Sequence, residues 1–204
     1  KTDLTKVIND ASLPVTIAAS DLPSASNGSN YAYSLWFYIN DWNARYGEPK
    51  IVFRRKDSED HLTPQVSLGA YENNLKITMS VHGPHGHYPK DHCNVENIPL
   101  QKWVNLIISL NNESLDVYLD GKLVRTCVLE GVPKISTNAP VELTPEGGFD
   151  GFTSKFQFIP TPLNPQEAYN IYKAGYGGGG LGSSFNKYKV KVSYLVDNKE
   201  KSSF

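Results

Sequence analysis

Four of the chain's five histidines fall in the run His82-Gly83-Pro84-His85-Gly86-His87-Tyr88-Pro89-Lys90-Asp91-His92. A neutral imidazole is a good ligand for zinc or copper, so this run has the side chains for metal chemistry. Its spacing matches no zinc pattern and sits on no helix, and its Gly and Pro residues predict a long exposed loop. The competing reading is a solvated loop with incidental histidines. A second chemistry is stacking on a sugar, from the rings of Trp42, Tyr46 and Tyr71 together with His85, His87 and Tyr88 of the histidine loop. Cys93 and Cys127 are the only cysteines. An even count permits one bridge, and equally permits two reduced, buried thiols. The triplets Asn27-Gly28-Ser29 and Asn112-Glu113-Ser114 are glycosylation sequons in segments that read as surface loops, although such triplets are frequent by chance.

The elements that must carry these residues are strands. Trp103–Leu110 is strongly β-prone and is broken by the polar turn Asn111-Asn112-Glu113-Ser114. Leu115–Leu119 alternates, with Leu115, Val117 and Leu119 on one face and Asp116, Tyr118 and Asp120 on the other. Asp120-Gly121 is a two-residue hairpin signal, because a type I′ turn needs positive φ at both central positions. Lys122–Leu129 returns as a third strand, so this stretch predicts a three-stranded meander at the centre of an all-β domain. Tyr31–Asn40 is apolar on both faces and predicts a central strand covered on both sides. Further strands are expected at Val15–Ala18 (an edge, bracketed by Pro14 and Pro23), Lys50–Arg54, Val66–Leu68, Leu75–Val81, Val141–Leu143 and Thr153–Ile159. Asn164-Pro165-Gln166-Glu167 predicts a helix start with a capping box, and Gly175 its end. Gly175–Gly182 reads as a flexible linker and Tyr188–Leu195 as a last strand, with Lys187, Lys189 and Lys191 guarding its edge.

The segment PLQKWVNLIISLNNESLDVYLDGKLV resembles the tryptophan-to-YxDGK hairpin of the concanavalin A-like, laminin-G-like jelly rolls. GGFDGFTSKFQF, followed by PLNPQEAYNIYKAG, resembles the closing block of that family. The resemblance covers roughly 34–175 and implies a two-sheet antiparallel jelly-roll sandwich with one short helix near the C-terminus. Three further segments, SLWFYINDWNARYGEPKIVF, LVRTCVLEGVPKI and NPQEAYNIYKAGYGGGGLGSSFNKYKVKVSYLVDNKEKSSF, resemble laminin-G-like proteins encoded by large DNA viruses of algae and protists. That narrower resemblance implies a Cys93–Cys127 disulfide and a virion or membrane-anchored surface location, with an anchor outside this chain. It also implies capsid or membrane proteins as partners. The broader family implies calcium as a possible cofactor, with Glu146 and Asp150 in PEGGFDG as candidate ligands. Two carboxylates fall short of the six to eight oxygens of a tight site, and a Gly-rich turn is the other reading. The family's glucanases place their carboxylates in a Glu-x-Asp-x-x-Glu run, which this sequence lacks. Asp116 and Asp120 lie about 13 Å apart along a strand, too far for a retaining pair at about 5 Å.

Composition narrows the choice further. At 204 residues the chain can bury a full two-sheet core, read as one jelly roll over 1–175 with 176–204 packed on it. A net charge of −1 supplies no basic field for nucleic acid. No apolar run reaches the ~20 residues of a membrane helix. No nucleophile elbow, phosphate loop or Cys–His pair is present, so catalysis is not expected. Two classes of function remain: a structural or attachment domain at a viral surface, and a carbohydrate-binding module for host or virion glycans.

Overall fold

The computed structural model describes residues 1–23 and 30–177, together with the backbone strands Ser193–Val196 and Lys199–Ser203. Among the described residues, fifteen strands and one α-helix run in the order β1 Thr2–Asp3, β2 Asn9–Asp10, β3 Val15–Ile17, β4 Tyr31–Ile39, β5 Lys50–Lys56, β6 Leu62–Leu68, β7 Leu75–Ser80 and β8 Lys90–Val95. There follow β9 Trp103–Asn111, β10 Ser114–Leu119, β11 Lys122–Val128, β12 Val141–Leu143, β13 Gly151–Ile159, α1 Pro165–Lys173, β14 Ser193–Val196 and β15 Lys199–Ser203. One antiparallel sheet has the order β1-β13-β4-β9-β10-β11, with β2 also on β13, and the second has the order β3-β12-β5-β6-β7-β8. β14 and β15 pair with each other. The chain is a jelly-roll sandwich, as the sequence predicts.

β4 is the strand that both faces need. Tyr31, Tyr33, Leu35, Phe37 and Ile39 point into the core between the sheets, against Phe53, Phe156 and Phe158. Its other face carries Ala32, which joins Ile107, Tyr118, Ile159, Ala168, Ile171 and Leu163 in a second apolar cluster beneath α1. Trp36 on that same face stacks on Tyr172 of the helix at 5.6 Å, and Tyr176 stacks on Trp103 at 4.5 Å. The outer face of the first sheet is thus covered by the helix and by the residues just after it.

Local signals act as expected at both ends of this arrangement. Asp120 and Gly121 both have positive φ (48° and 74°), and a Cβ at Gly121 would press on the backbone of Tyr169 in α1. The Asn164 side chain accepts from the Glu167 amide while the Glu167 carboxylate accepts from the Asn164 amide, each at 2.9 Å, which completes the capping box.

Two expectations change, and a third lies outside the described residues. β6 begins at Leu62, earlier than Val66, because Pro64 sits where β6 has no β7 partner and where the β5 pairing is irregular. A proline without N–H is tolerated there. β8 was not anticipated: the loop from His82 closes by Pro89, and Lys90–Val95 is an edge strand showing only Cys93 and Val95 to the core. Cys93 therefore lies in a strand. Of the expected final strand, Tyr188–Val192 and its guarding lysines lie outside the described residues, as do most of the Gly-rich linker and the Asn27 sequon.

Candidate functional site

The loop between β4 and β5 and the turn between β6 and β7 meet at one end of the sandwich. Asp41 accepts from the Asn43 amide at 2.9 Å, the Gly47 amide donates to the Ala70 carbonyl at 2.9 Å, and the Trp42 indole donates to the Tyr71 carbonyl at 3.4 Å. These bonds bring Trp42, Tyr46 and Tyr71 together. Tyr46 and Tyr71 meet edge to face at 5.5 Å and stay 59% and 65% exposed, so their rings remain open to a ligand. Beneath them, the Lys50 ammonium lies 4.7 Å from the Trp42 ring. Lys50 is buried and its Nζ has no hydrogen-bond partner. Burial first, then the Arg45 guanidinium, pull its pKa below the ordinary lysine value, while Glu48 works in the other direction. Arg45 is itself held, donating to Glu48 at 2.8 Å and to the Gly148 carbonyl at 2.9 Å.

His85, His87 and Tyr88 lie at the opposite end. Lys50 pairs with Leu68 and Lys56 with Leu62, while Leu75 pairs with Val95 and Ser80 with Lys90, so one strand length separates the two groups. Over six residue steps that is about 20 Å. The six aromatic and histidine candidates therefore form two separate patches. Tyr88 is also enclosed, with His61 at 4.5 Å, His82 at 4.9 Å and the Lys134 ammonium 4.3 Å above its ring.

That enclosure belongs to a polar cluster the sequence reading missed. Asp57 lies 3.0 Å from His61 Nδ1 and 3.1 Å from Lys134 Nζ, and accepts from Ser136 at 3.0 Å. Asp57, Glu59 and His61 present ligand atoms within 4.8 Å of one another, a spacing a metal could use. Lys134 Nζ already stands among them, 2.6 Å from His61 Nδ1 and 3.5 Å from Glu59, so an ammonium supplies the positive charge. The signal available in sequence was Asp57-x-Glu59-x-His61, but Lys134 and Ser136 arrive from a distant segment.

Burial alone would raise the Asp57 carboxyl. The His61 amide, Lys134, the His61 ring and Ser136 outweigh it and hold the carboxyl well below the usual carboxylate range. A carboxyl lowered in the folded state adds stability above its unfolded value, and that stability is lost as pH falls through the folded value. Asp57→Asn is therefore expected to melt a few degrees below the parent at pH 7. The gap should begin to narrow below about pH 4, where the unfolded Asp takes up its proton, and shrink further as pH falls toward the folded value. Thermal melts from pH 7 to pH 2 check this, and a gap that stays constant would refute it.

The calcium candidates are already engaged. Glu146 meets Arg54 at 2.6 Å, and Asp150 accepts from the Asn40 side chain at 3.1 Å and, through its carbonyl, from the Asn40 amide. Neither belongs to a group of three close His, Cys, Asp or Glu ligands among the described residues. The Gly-rich stretch has a packing role, since Gly148 has φ +44° and a Cβ there would run into the Ala11 carbonyl. Cys93 and Cys127 form a disulfide, joining β8 at the edge of one sheet to β11 at the edge of the other.

Solved structures share this fold at low identity. The receptor-binding domain of botulinum neurotoxin C/D mosaic serotype matches with a TM-score of 0.59 and 11% identity, over 72% of this chain and 36% of that one. The serotype D ligand-binding domain in complex with N-acetylneuraminic acid matches with 0.58 and 11%, over 73% and 38%. The neurotoxin DC binding domain in complex with rat synaptotagmin II matches with 0.60 and 14%, over 79% and 39%. The chain thus spans about two fifths of these structures. No curated protein sequence matches it. These comparisons carry the fold, and they leave the resemblance to virus-encoded proteins on the segments quoted above. No helix among the described residues is long and apolar enough to cross a membrane. A laminin-G family model, described as concanavalin A-like lectin/glucanases superfamily, matches residues 12–168, and the chain belongs to that superfamily.

Proposed function

We propose that this is a non-enzymatic recognition domain that binds saccharide at the Trp42–Tyr46–Tyr71 end. The observation that carries the reading is the pair of open rings of Tyr46 and Tyr71, fixed by backbone hydrogen bonds and backed by Trp42 over Lys50. Ring faces beside placed polar groups suit a sugar, whose C–H faces stack while its hydroxyls hydrogen-bond. Neurotoxin domains of the same fold have been solved with N-acetylneuraminic acid and with rat synaptotagmin II, which supports a binding role. Against catalysis, Asp116 accepts from Thr126 at 2.6 Å and Asp120 is held by the Asn105 amide and Lys102. They serve strand and turn.

A glycan array run with calcium and again with chelator tests the reading. The expected result is binding that falls at least tenfold, about 1.4 kcal/mol, in Tyr46→Ala and Tyr71→Ala. Binding that both variants retain, or a silent array with folded protein, would sink it for the glycans tested. Loss on chelation would show that binding needs a metal, and Glu146→Gln and Asp150→Asn would then test whether these residues hold it. A second reading, a surface or virion domain packed on capsid or membrane proteins, draws support from β11. That edge strand leaves Leu123, Val124 and Val128 exposed, and Val128 is 76% exposed. Exposed apolar residues along an edge strand suit a protein partner.

A further inference from the structure

We infer that Asn112 is an N-glycosylation site, carrying its glycan on the end of the sandwich opposite the aromatic rings. The sequon Asn112-Glu113-Ser114 forms the tip of the β9–β10 hairpin, where Asn111 pairs with Ser114. Asn112 and Glu113 are exposed and Ser114 is half-buried. The turn is held by other groups. The Asn112 amide donates to the Asn30 side chain at 2.7 Å, Asn30 donates to the Asn111 side chain at 3.2 Å, and the Glu113 carbonyl accepts from Leu129 at 2.8 Å. Among the described residues, the Asn112 carboxamide and the Ser114 hydroxyl hold no hydrogen bond.

The positive φ of Asn112 (54°) explains an asparagine in this turn without any glycan, since Asn tolerates that conformation. It does not explain Ser114, which completes the triplet. The independent observation is the Cys93–Cys127 disulfide, which forms and persists in oxidising compartments, where N-glycosylation also takes place. In the transfer step, Asn112 Nδ2 attacks C1 of the reducing sugar of a lipid-pyrophosphate-linked oligosaccharide. A C–N bond forms, the C–O bond to phosphate breaks, the lipid pyrophosphate leaves and the amide proton passes to solvent. The strand from Asn111 back to Trp103 is about 27 Å long, so the glycan leaves the Tyr46 and Tyr71 rings uncovered.

The full chain, expressed behind a secretion signal in a eukaryotic host, is taken from medium and from the endoplasmic reticulum and mapped by mass spectrometry. Enzymatic deglycosylation in heavy-oxygen water marks each occupied Asn as labelled Asp. The expected result is label at Asn112 in the disulfide-bonded protein, falling to background in Asn112→Asp and Ser114→Ala. Asn112→Asp keeps a residue that accepts positive φ, and Ser114→Ala leaves the turn untouched, so neither outcome depends on a broken hairpin. Label confined to Asn27, or none in either pool, would overturn the inference.

Discussion

Replacing Phe156 by alanine is expected to lower stability by about 3–5 kcal/mol, the usual cost of deleting a buried aromatic ring. Phe156 is fully buried on β13, with ring centroids 4.9 Å from Phe53 and 5.7 Å from Tyr33. Tyr33 in turn lies 5.1 Å from Phe53, so three strands from both sheets meet at three rings. Removing the central ring loses its transfer energy and its aromatic pairs, and the neighbours are too tightly placed to collapse into the gap. Chemical denaturation at constant m-value measures the difference. A loss under 1 kcal/mol would mean that the site closes over the cavity and that the ring is not the keystone.

Removing the disulfide is expected to cost nearly as much. The bridge spans a sequence separation of 34, for which the chain-entropy model gives roughly 3–4 kcal/mol. For a chain of this size that is a fall of roughly 10 °C in Tm. The cost should appear in Cys93→Ser/Cys127→Ser, and in the parent after reduction in denaturant and refolding under reductant. Since the bridge pins the free edges of opposite sheets, hydrogen exchange should quicken first in β8 and β11. Equal Tm values for the oxidised and cysteine-free proteins would show that sheet packing alone closes that side.

The fold was legible where local chemistry and burial agree. Asp120-Gly121, the Asn164 capping box and the doubly apolar β4 each had one physical solution, and the structure adopts it. β8 was hidden because an edge strand needs only its inward residues to be apolar, and Cys93 and Val95 alone give too faint an alternation. The site was legible as a set of residue types but not as a set of places. Trp42, Tyr46 and Tyr71 come together through loop hydrogen bonds that no periodicity encodes, while Tyr88, similar in type, faces Lys134 at the far end. The Asp57–His61 half of the polar cluster is local, and the cluster was illegible because Lys134 and Ser136, which complete it, arrive from a distant segment.

The chain has three tryptophans, and their neighbours divide its intrinsic fluorescence into two reporters. Trp36 and Trp103 share Tyr176, at 5.4 Å and 4.5 Å, so their emission reads whether the helix and the residues behind it are docked on the first sheet. Trp42, over the Lys50 ammonium, reads the proposed saccharide end alone. With Trp42 changed to Phe, a titration that still shifts the spectrum is sensing the C-terminal cover, and one that falls silent was sensing the loop. One optical signal can thus separate occupancy of one end from loosening of the opposite face, without a label.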